Sequence, residues 1–212
     1  MTTITIDTHA EEKIKASRHK LRAGSWGGSE TVCMMSALVA GADSAKDCVT
    51  AGWPLWLAEL NVALFDVEVG AESENTARYQ FALDVAKAVQ EPRDYDKAHD
   101  LFLISRLDTG DYSALKSLAL LDGDWTQQRN AVEAVVALLR RRIAGEDVSA
   151  HADAAVNAAV NAAAYADADR WAADASAYAA RAYAADASAY ATASAAASAA
   201  ARADLINAIC NA

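Results

Sequence analysis

The chain has 212 residues, with 19 Lys and Arg against 29 Asp and Glu, so its formal charge is −10 and its pI about 4.8. That length allows one domain, or one domain with an appendage, and an ample core. A body of this charge is repelled by nucleic-acid phosphates and by anionic lipid, which argues against direct binding to either. Three cysteines at irregular spacing make neither a disulfide framework nor a zinc ligand set, so a reduced cytoplasmic setting is expected. The polar residues 1–7 carry no signal-peptide pattern, and no charge-free run of about 20 apolar residues offers a membrane span.

The punctuation along the chain is helical, and prolines occur only twice. Thr8 precedes a first helix with Ile14 and Leu21 on one side, and Gly24, Gly27 and Gly28 break the chain around Trp26. Ser29 is placed to cap a helix over 30–40, with Gly41 as its stop. Ser44 with Asp47 resembles a capping box opening a short helix that ends at Gly52. Pro54 suits the first turn of the next helix, where its missing N–H is not needed. Trp56, Leu57, Leu60, Leu64 and Phe65 give that helix a 3.6-residue stripe reaching about Val67.

Gly70 and the polar residues 72–75 read as a loop. Helix resumes with Tyr79, Phe81, Leu83, Val85 and Val89, and Pro92 closes it. Asp94 caps a helix over 95–107, and a turn at Gly110 and Asp111 leads to a short helix through Leu115, Leu118 and Leu121. After Gly123 and Asp124 comes the clearest amphipathic helix, 125–144. Its Val132, Val135, Val136, Leu139 and Ile143 share one face, while Glu133, Arg140 and Arg141 lie elsewhere. Gly145 stops it. No alternating run is long enough for a strand, so residues 1–149 read as an all-α, multi-helix bundle body.

Residues 150–212 differ in kind: Ala fills 33 of the 63 positions, and Gly, Pro, Lys and Glu do not occur. Trp171-Ala-Ala-Asp-Ala-Ser-Ala-Tyr178 recurs twelve residues on as Tyr183-Ala-Ala-Asp-Ala-Ser-Ala-Tyr190, behind the tetrads beginning Ala155 and Ala159. Ala is the strongest helix former, and the Asp, Arg and Ala-Ala interruptions break the period-two pattern of a strand. One straight helix of this span would be roughly 90 Å long. On it Val156, Val160, Trp171 and Tyr178 would share a side, with Tyr183 and Tyr190 opposite. The expectation is an Ala-rich helical segment, a long helix or helical hairpins, packed on the body, with bends near 165–170 and 192–198.

Cys33 within an apolar helix, the run Gly52-Trp-Pro-Leu-Trp-Leu-Ala-Glu-Leu, Phe65-Asp66 and the Ala-rich tail together resemble a broad set of phage and prophage proteins. Those pair a helical body with tails of Ala, Tyr, Trp, Asp and Arg, and are similar to bacterial proteins labelled as immunity proteins. The resemblance carries no catalytic motif. It implies an accessory protein of a mobile element that acts on another protein.

Most polar clusters have plain structural readings. Asp96, His99 and Asp100 sit at i, i+3 and i+4 on a helix, close enough to share a proton or a divalent ion, but also suit an acidic helix start. Asp108 with Asp111, and Asp122 with Asp124, lack the register and terminal Glu of a calcium loop and read as turn and cap residues. The Gly-rich stretch before Glu30 lacks the Lys-Ser/Thr of a phosphate loop. Cys33 reads as a buried thiol, Arg140-Arg-Arg142 as a basic helix end, and Trp53 and Trp56 as core. No catalytic, cofactor-binding or metal-binding residue is assigned.

The tail presents the unusual surface. Asp167, Asp169, Asp174 and Asp186 interleave with Trp171, Tyr178, Tyr183 and Tyr190, a pairing of carboxylates and rings suited to a basic protein surface. Packing of those rings on the body is the competing role. The expected function is a non-catalytic inhibitor or immunity factor of a phage or mobile element, acting in the bacterial host cytoplasm. It would block a host defence complex, as anti-CRISPR proteins do, or neutralise a toxin. The alternatives are an enzyme with an acidic or metal site near Asp96, His99 and Asp100, or a structural helical-repeat protein of a virion.

Overall fold

Among the described residues Gly41, Gly52 and Gly145 take the positive φ that ends a helix, and Pro54 opens one. The computed structural model describes residues 3–21, 32–66, 73–120, 123–148 and 187–212. Its helices are α1 (Ala10–Ala16), α2 (Met34–Leu38), α3 (Ala45–Thr50), α4 (Leu55–Asp66), α5 (Ser73–Ala88), α6 (Tyr95–Ile104), α7 (Ala114–Leu118), α8 (Thr126–Ile143) and α9 (Ala187–Cys210). Among the described residues no strand forms, and the isolated parallel bridge Leu21–Val32 is the β feature present. The fold is all-α, with a C-terminal helix drawn from the Ala-rich segment.

The chain divides into two compact units, Met1–His99 with Ser194–Ala212, and Asp100–Ala193. In the first unit α1 packs on α2 and α5, and α4 packs on α2 and α3. Its core is closed by Ile14, Met34, Trp53, Phe65, Val85 and Leu205, each under 2% exposed. Two polar devices set the helix starts. Asp47 accepts from the Ser44 hydroxyl at 2.8 Å and from the Asp43 N–H at 3.1 Å, tying off the first turn of α3. The Pro54 carbonyl accepts from the Leu57 and Ala58 N–H groups at the start of α4.

The end of α4 is held differently. The last-turn carbonyls of a helix lack intrahelical donors and carry the negative end of its dipole. Here the Leu64 carbonyl accepts from Arg202 Nε at 2.9 Å and Nη2 at 2.7 Å, and the Phe65 carbonyl accepts from Arg78 Nε at 2.8 Å. Both arginines are about as buried as the apolar core, at 6% exposure. Arg78 stands in the buried stripe of α5 with Ala82 and Val85, continued by Val89 just past the helix, and Arg202 in that of α9 with Ser198, Leu205 and Ile209. The stripe of α9 thus completes the core of the first unit.

In the second unit Ile104, Val136 and Leu139 form a small core, flanked by Leu103, Leu107, Val132, Val135 and Ile143. The amphipathic face expected for 125–144 therefore packs as a unit. After Ile104 the chain widens into a π turn over Ser105–Thr109, closed by the Gly110 N–H on the Ser105 carbonyl at 2.8 Å. The helix expected over 95–107 is shortened accordingly.

Three other expectations are corrected. The helix expected over 30–40 is confined to Met34–Leu38, because Val32 donates its N–H to the Lys20 carbonyl and bridges Leu21 instead. Residues 73–75, expected in a loop, form the first turn of α5. The bend expected near 192–198 is absent: α9 runs unbroken through it, as a stretch of Ala and Ser without Gly or Pro allows. The junction at 149 and the bend expected near 165–170 lie outside the described residues.

Gly52 sits in a tight turn of the first unit. Its φ is +84°, and a Cβ there would lie 2.9 Å from the Thr3 carbonyl oxygen, beside the bond from the Thr5 N–H to the Ala51 carbonyl. Gly52→Ala should lower stability by about 1–2 kcal/mol in urea unfolding. An unchanged midpoint and slope would show that the N-terminal segment does not constrain this turn.

Candidate functional site

Of the expected partner-binding residues, Asp167, Asp169, Trp171, Asp174, Tyr178, Tyr183 and Asp186 lie outside the described residues, while Tyr190 stands on the backbone of α9. The second cluster, on α6, is in view. Asp94 caps that helix by accepting from the Lys97 N–H at 3.1 Å. Asp96 is exposed, and His99 stacks on Trp56 with ring centroids 4.5 Å apart. Asp100 is buried, and Arg142 grips it through Nη2 on one oxygen and through Nε on the other at 2.6 Å. The helical spacing thus brings the three onto one helix, but Asp96 is exposed while His99 and Asp100 are engaged with Trp56 and Arg142. Among the described residues no three His, Cys, Asp or Glu side chains are arranged to hold a metal.

Most of the described basic side chains are spent on internal contacts. Arg140 meets Asp108 at 2.6 Å, Arg141 meets Glu146 at 2.7 Å, and Arg142 meets Asp100, so each member of the basic run at the end of α8 has a carboxylate. Arg93 meets Glu91 at 3.0 Å, and Lys116 meets Asp111 at 3.3 Å. Arg78 and Arg202 turn inward to α4. Glu59, Asp96 and Glu133, by contrast, are exposed.

Carboxylates also line an open cleft of about 480 Å³ at the start of α1, with Asp7, Glu11, Glu12 and His9 on its wall. Hydrogen bonds from Lys13 to Asp7, at 2.5 Å, and from Lys15 to Glu11, at 3.4 Å, hold both carboxyls below their ordinary range. The Gln90 amide also donates to Glu11 at 3.1 Å. These groups stay anionic across the physiological range.

A second depression, of about 360 Å³, runs between α5 and α9. Its walls are mostly apolar, and Arg202 reaches into it from the buried side. Sequence reasoning missed this groove, together with the roles of Leu205, Ile209 and Arg202. The available signal was the spacing 198, 202, 205 and 209, a helical stripe with an arginine at a core position.

The thiols divide by burial. Burial pushes Cys33 and Cys48 up to about 11, whereas Cys210 is exposed. No known protein family, curated protein or solved structure matches the chain. Among the described residues no helix is long and apolar enough to cross a membrane.

Because the thiolate is the reactive form, at pH about 8 a disulfide reagent should modify Cys210 quickly in the native protein and reach Cys33 and Cys48 only on unfolding. Rapid modification of Cys33 would reopen its reading as a nucleophile.

Proposed function

We propose that the protein acts without catalysis, by binding a basic surface of another protein as an inhibitor or immunity factor of a phage or mobile element. One observation carries the reading. The net charge is −10, and the described cations are mostly bound to the protein's own carboxylates and helix carbonyls, so the surplus it presents is acidic. Such a surplus steers basic partners and repels nucleic acid and anionic lipid. A nucleic-acid-handling defence complex or a basic toxin in the bacterial cytoplasm fits that chemistry, since its cationic channel is what an acidic body would occupy. The rings and carboxylates from Asp167 to Tyr190 are the proposed contact, with Trp171, Tyr178, Tyr183 and Tyr190 as anchors and the Asp residues as steering charges.

The test is affinity capture from bacterial lysate at low and moderate salt, with the parent and with Asp167, Asp169, Asp174 and Asp186 all changed to Asn. The parent should retain a discrete basic protein, less at moderate salt, and the fourfold variant should retain much less at low salt. Equal capture by both, insensitive to salt, would remove the tail from the interface.

A further inference from the structure

Arg202 is a buried charged side chain that lines the groove between α5 and α9. Its Nε and Nη2 are taken by the Leu64 carbonyl, and its Cζ lies over the Phe81 ring, 5.5 Å from the ring centre. Among the described residues no carboxylate pairs with it, and its Nη1 amino group makes no hydrogen bond. Burial and the neighbouring charge of Arg78 both lower its pKa, so its positive charge is under-compensated where it stands. An arginine offers five donors in a planar fork, and a carboxylate is the acceptor that matches that fork.

The space in front of Arg202 sets the rest of the ligand. Ala77 and Phe81 of α5 face Ala199, Ala203 and Ile206 of α9, one helical turn apart on each side. These five side chains are uncharged. Asp84 is the acid at the groove, and the Gln80 amide donates to it at 2.8 Å. The volume of about 360 Å³ lies at the small end of the range for small-molecule sites, about 300–1,000 Å³. Arg202 is the cation of a mostly apolar lining that also holds Asp84, Gln80 and Asn207, and with Asp84 already engaged by the Gln80 amide the groove suits a monoanion with a hydrocarbon or aryl body rather than a polyanion.

We infer that the groove between α5 and α9 is a binding site for a small apolar monocarboxylate, whose carboxylate takes the free N–H groups of Arg202 and whose body lies against Phe81, Ala203 and Ile206. This site is independent of the proposed acidic interface and stands or falls without it.

Octanoate titrated into the full chain by calorimetry tests the inference, with octanol as the neutral match. Octanoate should bind saturably at one site, and octanol about tenfold or more weakly, since it cannot accept the charged fork. Ala203→Leu adds bulk at an exposed wall position and leaves Arg202 and its carbonyl untouched; it should abolish octanoate binding at an unchanged melting temperature. Arg202→Gln should weaken octanoate towards the level of octanol if the variant folds, and Ala203→Leu decides the matter if it does not. Equal binding of octanoate and octanol, or undiminished binding to Ala203→Leu, would overturn the site. A short peptide ending in leucine with a free carboxylate that binds where octanoate does not would place the anion on a protein chain and overturn it equally.

Discussion

The first unit depends on how the end of α4 is satisfied. A helix that ends inside a protein exposes carbonyls with no partner and a partial negative charge, and both must be met by a donor. Arg78 and Arg202 meet them from two different helices, so the α4 terminus fixes where α5 and α9 lie. The contact from Arg202 to Leu64 closes 138 residues of sequence. Leu205 and Ile209, both wholly buried, then follow on the same face of α9. Placing two guanidinium groups side by side is unfavourable by itself, and the carbonyl acceptors and the faces of Phe65 and Phe81 are what make it tolerable.

This arrangement explains why some of the fold was legible in the sequence and some was not. The helix α8 was readable because its apolar face and charged face separate cleanly, and Val136 and Leu139 do form a core with Ile104. Pro54, Asp94 and Gly145 acted locally, through caps and turns within a few residues, so they marked their helix ends correctly. Val32 did not, because its partner is the Lys20 carbonyl across a break, and no local rule registers that bond. The arginines were hidden for a related reason. An Arg in a helix is ordinarily a solvated residue, and only its position among Val85 and Val89, or Leu205 and Ile209, marks Arg78 or Arg202 as internal. In α9 a background of Ala further diluted the stripe.

The same geometry governs what the surface offers. Arg140 and Arg142 cancel the charges of Asp108 and Asp100, so the acidic excess of the chain, −10 in all, resides in its other carboxylates. The α6 cluster shows how far spacing alone carries a site. Asp96, His99 and Asp100 share a helix, yet one faces solvent, one stacks on Trp56 and one is gripped by Arg142.

The anchor is tested most directly by amide hydrogen exchange on Arg202→Met, which keeps an unbranched apolar stem of about the same reach as far as Nε and removes the donors. Without them the Leu64 carbonyl loses its partner and α9 loses its tie to α4. Exchange over residues 201–210 and at the end of α4 should then quicken about tenfold or more, while α8 keeps its protection. Parent-like protection across 201–210 would show that the apolar stripe alone holds α9 and that Arg202 is not the anchor.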